Sequence, residues 1–306
     1  MLAVLFGVLC VIWSTTWAAI RVCEQGFSPL WAAALRFSLG AGVLLVLLSW
    51  RGGRSARPAS LPLARWVLPA AGLINAISYS LIYLAERRLT GGTAAVLGAT
   101  NPFFTLGVAV ALGYERASWR KGIGLTVGFG GVCLLVSSGL TLGTGLVPSM
   151  LEVLFAAAVL WPTYSVLLRR ANATGLQSQV VTAGFVRWTA IFLLLAAGGI
   201  EGVPGFLTGG LPSARAVGAL FYLAVLGTAV AWSLFNFLLR RLPLSVLSTM
   251  LFIEPGLALG VDWLLGDTAP SAAGLSGAAL ILAGVALSAW SLPRDVPIGT
   301  AAPLVA

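Results

Sequence analysis

Two stretches of the chain decide its fold: YSLIYLAERRL at residues 79–89 and WSLFNFLLRRL at residues 232–242. Each is an apolar run with several aromatic side chains that ends in Arg-Arg-Leu, and the two begin 153 residues apart. The same offset relates two further pairs of landmarks: Asn101-Pro102 with Glu254-Pro255, and Gly131-Val132 with Gly284-Val285. Landmarks that share one offset indicate an internal repeat of about 150 residues.

The composition indicates where such a repeat resides. The 306 residues are 59% hydrophobic and 9% charged, against about 45–50% and about 25% in soluble domains. Too few polar side chains are present to cover a globular surface, so we identify an integral membrane protein rather than a soluble enzyme or a nucleic-acid-binding protein. Because the sequence has no histidine, a Ser-His-Asp triad and an HExxH zinc site are excluded. Three cysteines without CxxC spacing indicate neither a metal site nor a disulfide framework.

The apolar runs can be counted as membrane spans, since a helix needs about 20 mostly apolar residues to cross a bilayer. Ten such runs are present, at residues 2–20, 29–50, 66–85, 93–113, 122–139, 146–168, 178–199, 216–239, 244–265 and 272–292. Five spans in each half is an odd number, so the halves must have opposite orientations. The expected fold class is an all-α integral membrane protein with ten transmembrane helices in two inverted five-helix repeats. The expected domains are residues 1–139 and 145–292, followed by a cytoplasmic tail at 293–306.

The basic residues orient these spans. With the N-terminus inside, twelve Arg and Lys residues fall on the cytoplasmic side, and the opposite side holds only Arg21, Arg87, Arg88 and Arg215. This asymmetry follows the positive-inside rule and predicts that both termini are cytoplasmic. The first span has no basic region before it and no small-residue cleavage site after it, so we expect it to be retained in the inner membrane.

Charged residues inside spans are candidates for function, because each costs about 2.5–3.5 kcal/mol on insertion scales. Arg36 in the second span is matched by Arg187 in the seventh, and Glu152 lies in the sixth. These three are candidate coupling or structural charges; pairing with carboxylates or helix-end carbonyls is the alternative for the arginines. Glu254 lies near the middle of the ninth span, opposite Asn101 in the repeat, and is the first candidate for substrate binding or coupling.

Three prolines break the spans. Pro102 and Pro255 take equivalent positions in the fourth and ninth spans, and Pro162 lies in the sixth. Each removes a backbone hydrogen bond, and the freed carbonyl must face protein, water or substrate. Paired breaks in two halves point to a binding site, although a packing kink without ligand contact is the competing interpretation.

Aromatic residues well inside the spans provide a third signal, because buried Tyr and Trp need a polar partner that a hydrated cavity can supply. Tyr79 and Tyr83 share one helix face, and Trp232 with Asn236 repeats that face in the second half. Simple core packing explains each residue singly, but less readily the repeated pair. The expected substrate-binding residues are Trp17, Tyr79, Tyr83, Asn101, Trp161, Tyr164, Trp232, Asn236 and Glu254.

Glycines spaced four apart predict close helix contacts. They occur as Gly124-x-x-x-Gly128 and as Gly256-x-x-x-Gly260. The spacing of glycines around Gly124 does not fit a dinucleotide-binding loop.

The order and spacing of these landmarks resemble the EamA-type members of the drug/metabolite transporter (DMT) superfamily, over essentially the whole chain. The resemblance rests on Trp13-Ser14, Arg21, Pro29, Arg36-Phe37, Asn101-Pro102, Glu115-Arg116, Gly131-Val132, Trp161, Tyr164, Thr228, Trp232, Glu254-Pro255, Gly266-Asp267 and Gly284-Val285. It implies two inverted five-helix halves and efflux of amino acids or related metabolites. Exporters of the YddG type are the nearest by cavity character, but they tend to carry Trp before the fourth-helix proline, where this chain has Asn101.

The function expected from the sequence is secondary transport of a small amphipathic metabolite by alternating access. We expect no catalytic residue, no cofactor and no nucleic acid, membrane lipid as a partner, and a monomer or weak homodimer. A nucleotide-sugar or sugar-phosphate exchanger is an alternative, which needs Lys or Arg converging on an anion. An intramembrane lipid-modifying enzyme needs clustered Asp or Asn for Mg²⁺, or a nucleophile with its base. A receptor or scaffold without transport is the third alternative.

Overall fold

The computed structural model describes residues 1–50, 61–88, 97–137, 147–205, 210–254, 256–257 and 272–290. The described residues form helices and no strand. In chain order the helices are α1 (Leu2–Cys23), α2 (Pro29–Trp50), α3 (Leu61–Glu86), α4 (Asn101–Ala111), α5 (Trp119–Ser137), α6 (Val147–Phe155), α7 (Trp161–Ala173), α8 (Ser178–Ile200), α9 (Ala214–Ala224), α10 (Ala231–Leu239), α11 (Leu244–Ser248) and α12 (Ala272–Trp290). The predicted break at Pro255 and the predicted tail at 293–306 lie outside the described residues.

Six helical stretches of the described chain are long and apolar enough to cross a membrane: Leu2–Cys23, Pro29–Trp50, Arg65–Ala85, Pro148–Ala173, Ser178–Glu201 and Ala214–Leu239. Shorter apolar helices are Asn101–Ala111, Leu244–Glu254 and Leu275–Leu287. Between 33% and 50% of each long apolar window is buried inside the protein, so much of the apolar surface faces outward. Such a surface suits lipid rather than water. The chain is a helical, multi-pass membrane protein; ten spans in an inverted repeat stay a prediction.

Helices α5 and α12 pack closely against each other through glycine. A Cβ atom built on Gly284 of α12 would lie 2.5 Å from the carbonyl oxygen of Gly124 and 2.6 Å from the Cα of Gly128. Only glycine lets two backbones approach so closely, so the close contact predicted for the Gly124–Gly128 pair is confirmed. The second predicted pair ends at Gly260, outside the described residues.

Two of the long stretches contain a π-helical turn. Residues Ala156–Leu160 form the first, π1, between α6 and α7, and residues Val225–Val230 form the second, π2, between α9 and α10. Pro162 explains the position of π1, because a proline lacks the N–H that would continue the α-helical ladder. No proline lies near π2. A π-turn changes the helical hydrogen-bonding pattern and frequently marks a functional position.

The protein core lies where α1, α2, α3, α7, α8 and the stretch from α9 to α10 meet. Its largest fully buried side chains include Trp232, Arg36, Tyr83, Phe37 and Phe185. An arginine and a tyrosine among the largest core side chains indicate that the centre of the molecule is aromatic and polar rather than purely aliphatic.

Candidate functional site

A cavity lies inside the helix assembly, lined by α1, α2, α3, α4, α7, α10, α11 and the residues that follow α11. Its volume is about 90 Å³, several times the roughly 10–15 Å³ that one enclosed water requires. Eight residues singled out from the sequence line it: Trp17, Arg36, Tyr79, Asn101, Trp161, Tyr164, Trp232 and Glu254. The structure therefore brings most of the expected binding residues together from distant parts of the chain.

Glu254 is the acidic residue of the lining. Its side chain is 4% exposed, and its Oε2 accepts a hydrogen bond from Nε1 of Trp17 at 3.1 Å. Its Oε1 is buried and has no hydrogen-bond partner among the described residues. Trp17 thus holds one carboxylate oxygen, and the other has no partner among the described residues.

Arg36 brings a positively charged side chain to the lining, and it is 1% exposed. Its guanidinium donates to Oγ1 of Thr228 at 3.0 Å, to the hydroxyl of Tyr83 at 3.3 Å and to the carbonyl of Gly227 at 3.1 Å. It also lies 5.2 Å from the ring centroid of Tyr79. These contacts tie α2 to α3 and π2, which is the structural role that the sequence left open for this arginine.

Aromatic rings form much of the remaining wall. The ring of Trp232 lies 5.4 Å from Trp13, 5.6 Å from Tyr164, 4.8 Å from Phe185 and 5.3 Å from Phe235 between centroids. All four pairs have edge-to-face geometry, the favoured arrangement for aromatic pairs. Despite this packing, the indole N–H of Trp232 has no acceptor among the described residues.

The two π-turns present carbonyl groups to side chains from the first part of the chain. In π1, the carbonyl of Ala157 accepts from Nδ2 of Asn101 at 2.8 Å. In π2, the carbonyl of Gly227 accepts from Nε1 of Trp13 at 3.3 Å as well as from Arg36. In both π-turns, carbonyls are thus satisfied by protein side chains, one of the outcomes that the sequence left open for the helix breaks.

Helix α4 begins at Asn101, directly after a turn at residues 99–100, so Pro102 lies in its first turn. A proline there costs no hydrogen bond. Pro162 likewise lies in the first turn of α7, directly after π1. The break that the sequence predicted at each proline is therefore located just before it, and both prolines are buried.

Four expected residues do not line the cavity. Tyr83 is fully buried behind the wall, where it accepts from Arg36. Asn236 is also fully buried and accepts from Nδ2 of Asn172 at 3.1 Å. Arg187 is exposed, with its guanidinium 5.7 Å from the ring centroid of neighbouring Trp188, and Glu152 is partly exposed on α6. The matched arginines of the two halves thus have different surroundings.

The lining also contains residues that the sequence reasoning missed. Trp13 and Trp17 are four apart on one helix face, a signal that could have identified Trp13. Ser78 accepts a hydrogen bond from Nε1 of Trp161 at 2.6 Å, and Thr105 donates to Asn101 at 3.1 Å. Ser248 completes the polar part of the wall. A lone serine or threonine in an apolar span carries no sequence signal of this kind.

Polar clusters lie at both ends of α8. At its start, Arg240 donates to the carbonyl of Leu176. At its far end, Glu201 accepts from the hydroxyl of Ser28 at 2.6 Å and from the backbone N–H of Leu30 at 3.0 Å. These interactions fix the start of α2 against the end of α8.

The connection from α1 to α2 also carries Glu24. The pKa of Glu24 is raised to about 7, mainly because the carboxyl group is buried. The positive charge of Arg87 acts to lower this pKa, and the negative charge of Glu201 acts to raise it. Glu24 does not belong to the cavity lining.

The other end of the molecule contains a buried ion pair. Nζ of Lys121 lies 2.6 Å from Oε2 of Glu115, and Glu115 also accepts from the backbone N–H of Ser245 at 3.0 Å and from its hydroxyl. Burial acts to raise the pKa of Glu115, but the hydrogen bonds from Lys121 and Ser245 outweigh it and hold this pKa below its ordinary value. Glu115 thereby anchors the start of α11, a helix that lines the cavity.

Comparison with known proteins adds a family and a fold. The model of the EamA-like transporter family matches residues 1–137 and 149–290. The chain is 38% identical over 110 residues to "Uncharacterized inner membrane transporter YedA" of Escherichia coli strain K12, covering 33% of this chain and 34% of that protein. It is 27% identical over 105 residues to "Protein PagO" of Salmonella typhimurium strain LT2, covering 34% of each. The chain therefore spans about a third of the length of these relatives.

One solved crystal structure of a protein has a similar fold. It aligns with a TM-score of 0.75 and covers 94% of this chain and 96% of that chain. Sequence identity is 23%, so the likeness concerns the fold.

Proposed function

Because the chain belongs to the EamA-like transporter family, we propose that it is a secondary transporter that exports small amphipathic metabolites, with amino acids as the substrate class. The observation that supports this most is the central cavity, which combines aromatic walls with one carboxylate. An apolar pocket with a few convergent polar groups is the usual form of a small-molecule site, commonly with about 300–1,000 Å³. At about 90 Å³ this cavity is smaller, so a substrate of that kind enters only if the helices around it move apart.

The cavity also supports alternating access. Its lining comes from both ranges that match the family: α1 to α4 from the first, and α7, α10 and α11 from the second. A site between two halves can open to either side when one half moves against the other. In this proposal the two halves are inverted five-helix repeats, and both termini are cytoplasmic.

The substrate is proposed from the lining and from the YddG-type resemblance. A cavity walled by Trp17, Tyr79, Trp161 and Trp232 suits an apolar or aromatic side chain. A sugar phosphate or nucleotide sugar draws less support, since among the described residues the lining contains one arginine, Arg36, and three of its N–H groups are already engaged.

Counterflow in proteoliposomes tests the proposal. Vesicles that contain the purified full chain and an unlabelled amino acid are expected to accumulate the same labelled amino acid, and protein-free vesicles are not. Labelled nucleobases and sugars complete the panel. Absence of exchange for every compound would contradict the transporter assignment.

A variant pair links transport to the cavity. Trp161→Ala removes one wall of the cavity and the hydrogen bond to Ser78. The amino-acid concentration that gives half-maximal exchange should therefore rise by about tenfold. Trp119→Ala is the control, because Trp119 is 72% exposed and lies outside this lining. Equal behaviour of the two variants would place the binding site elsewhere.

A further inference from the structure

Two residues that line the cavity each carry a buried polar atom without a hydrogen-bond partner among the described residues. Glu254 offers an acceptor at Oε1, and Trp232 offers a donor at Nε1. Both residues are at most 4% exposed. Buried polar groups in proteins are nearly always hydrogen-bonded, so each of these points to a molecule that occupies the cavity.

Contacts within the wall hold both side chains in place. Oε2 of Glu254 is held by Trp17 at 3.1 Å, which fixes the carboxylate plane. The ring of Trp232 is packed edge-to-face against Trp13, Tyr164, Phe185 and Phe235. The acceptor and the donor are therefore preorganised, a condition that lowers the cost of ligand binding.

The charge of Glu254 is not balanced by a nearby basic side chain. Within the described part of the chain, the salt bridge between Lys121 and Glu115 is the ion pair that the structure contains, and Arg36 instead donates to Thr228, Tyr83 and Gly227. A buried carboxylic group is stabilised by a cation, by several hydrogen-bond donors or by taking up a proton, and an ammonium group can supply the first two. The rings of Trp17 and Trp161, which line the same cavity, favour a cation there further.

We propose that the cavity binds a primary ammonium group attached to an apolar body, with the ammonium donating to Oε1 of Glu254 and an acceptor group of the same molecule taking the N–H of Trp232. This inference rests on the proposed function and assigns each end of the substrate to a residue. An amine without a carboxylate satisfies the first contact and binds. An acid without an amine places a second negative charge near Glu254 and does not.

Three compounds with one phenyl ring separate these contacts: phenethylamine carries the amine, 3-phenylpropionate the acid and phenylalanine both. Ligand binding raises the melting temperature of the purified full chain in detergent. We expect phenethylamine and phenylalanine to raise the melting temperature and 3-phenylpropionate to leave it unchanged. An equal shift with 3-phenylpropionate, or no shift with any compound, would overturn the proposal.

Variants assign the contacts. Glu254→Gln should weaken phenethylamine binding by about 10- to 100-fold, the factor that a charge-assisted hydrogen bond supplies. Glu24→Gln neutralises a carboxylate outside the lining and should leave the affinity unchanged. Trp232→Phe keeps a ring but removes the donor, so it should weaken phenylalanine several-fold more than phenethylamine. If Glu254→Gln retains wild-type affinity for the amine, the assignment is wrong.

Counterflow with the same compounds distinguishes this inference from the proposed function. Exchange of 3-phenylpropionate but not of phenethylamine would overturn the ammonium site and leave a transporter. Amine binding that depends on Glu254, without exchange of any compound, would support the site and contradict transport. Binding of the three compounds to the wild-type protein tests the proposal even if a variant fails to fold.

Discussion

At the scale of single residues, the ion pair of Glu115 and Lys121 stabilises one end of the cavity. Both side chains are buried, with 4% and 8% of their surface exposed. Replacing both residues of a buried ion pair by apolar residues changes the stability of a protein little. Removing only one of them leaves the other charge buried without a partner, which is costly. Glu115 also holds the N-terminal turn of α11 through Ser245, so its loss affects a helix that lines the site.

Glu115→Gln is therefore expected to lower the free energy of unfolding by about 3 kcal/mol at pH 7, the typical cost of breaking a buried pair. Because the folded-state pKa of Glu115 lies below its ordinary value, this stabilisation is present above about pH 4.5 and is lost as the pH falls through the folded pKa. Melting curves of both proteins from pH 7 down to about pH 2 check this, because the series must pass below the lowered folded pKa. A difference that does not shrink in acid would contradict the electrostatic origin.

At the scale of helices, sequence reasoning predicted a close helix contact and a break at a proline, but it did not predict a π-helical turn that no proline marks. The Gly124–Gly128 spacing predicted a close helix pair, and α12 occupies that position. The break before Pro162 was predictable because a proline cannot donate. The π2 turn was not, since no proline marks it, and its Gly227 carbonyl receives donors that lie about 190 and 210 residues away in the chain.

Gly284→Ala tests the contact between α5 and α12. The added methyl group would meet backbone atoms of Gly124 and Gly128, which cannot move aside without displacing a helix. Loss of about 2 kcal/mol or more is expected, in the range of overpacked cores. Gly130→Ala is the matched control in α5, because a Cβ there meets nothing within 4 Å and removal of a helical glycine gains about 0.5–1 kcal/mol. Equal melting temperatures for both variants would show that the helices separate at little cost.

For the whole molecule, the offset in the sequence pairs residues whose burial it does not predict. Arg36 and Arg187 occupy matched positions, yet Arg36 is 1% exposed and bonded on three sides whereas Arg187 is exposed. Asn101, which the sequence offset pairs with Glu254, lines the same cavity. Burial follows from the three-dimensional packing of all helices, and a pairwise offset in the sequence does not contain that information.

The charge distribution predicts how the molecule is oriented in the membrane. Arg120 is exposed beside Lys121 and Glu115, and Arg215 is exposed at the start of α9, whose Ala216 contacts the connection from α1 to α2 at Gly26. Basic loops remain on the cytoplasmic side, so the Arg120 end should face inward and the Arg215 end outward. These positions can be compared directly with one labelling reagent.

Arg120→Cys and Arg215→Cys are made in a Cys133→Ser background, because Cys133 is exposed while Cys10 and Cys23 are buried. In intact cells, a membrane-impermeant maleimide should label the residue 215 variant and spare the residue 120 variant, and permeabilised cells should label both. The reverse pattern would invert the orientation. Labelling of both in intact cells would contradict a fixed orientation. If the chain exports its substrate as proposed, the cavity loads from the cytoplasm, and the expected pattern then assigns the opening that admits substrate to the Glu115–Ser245 end.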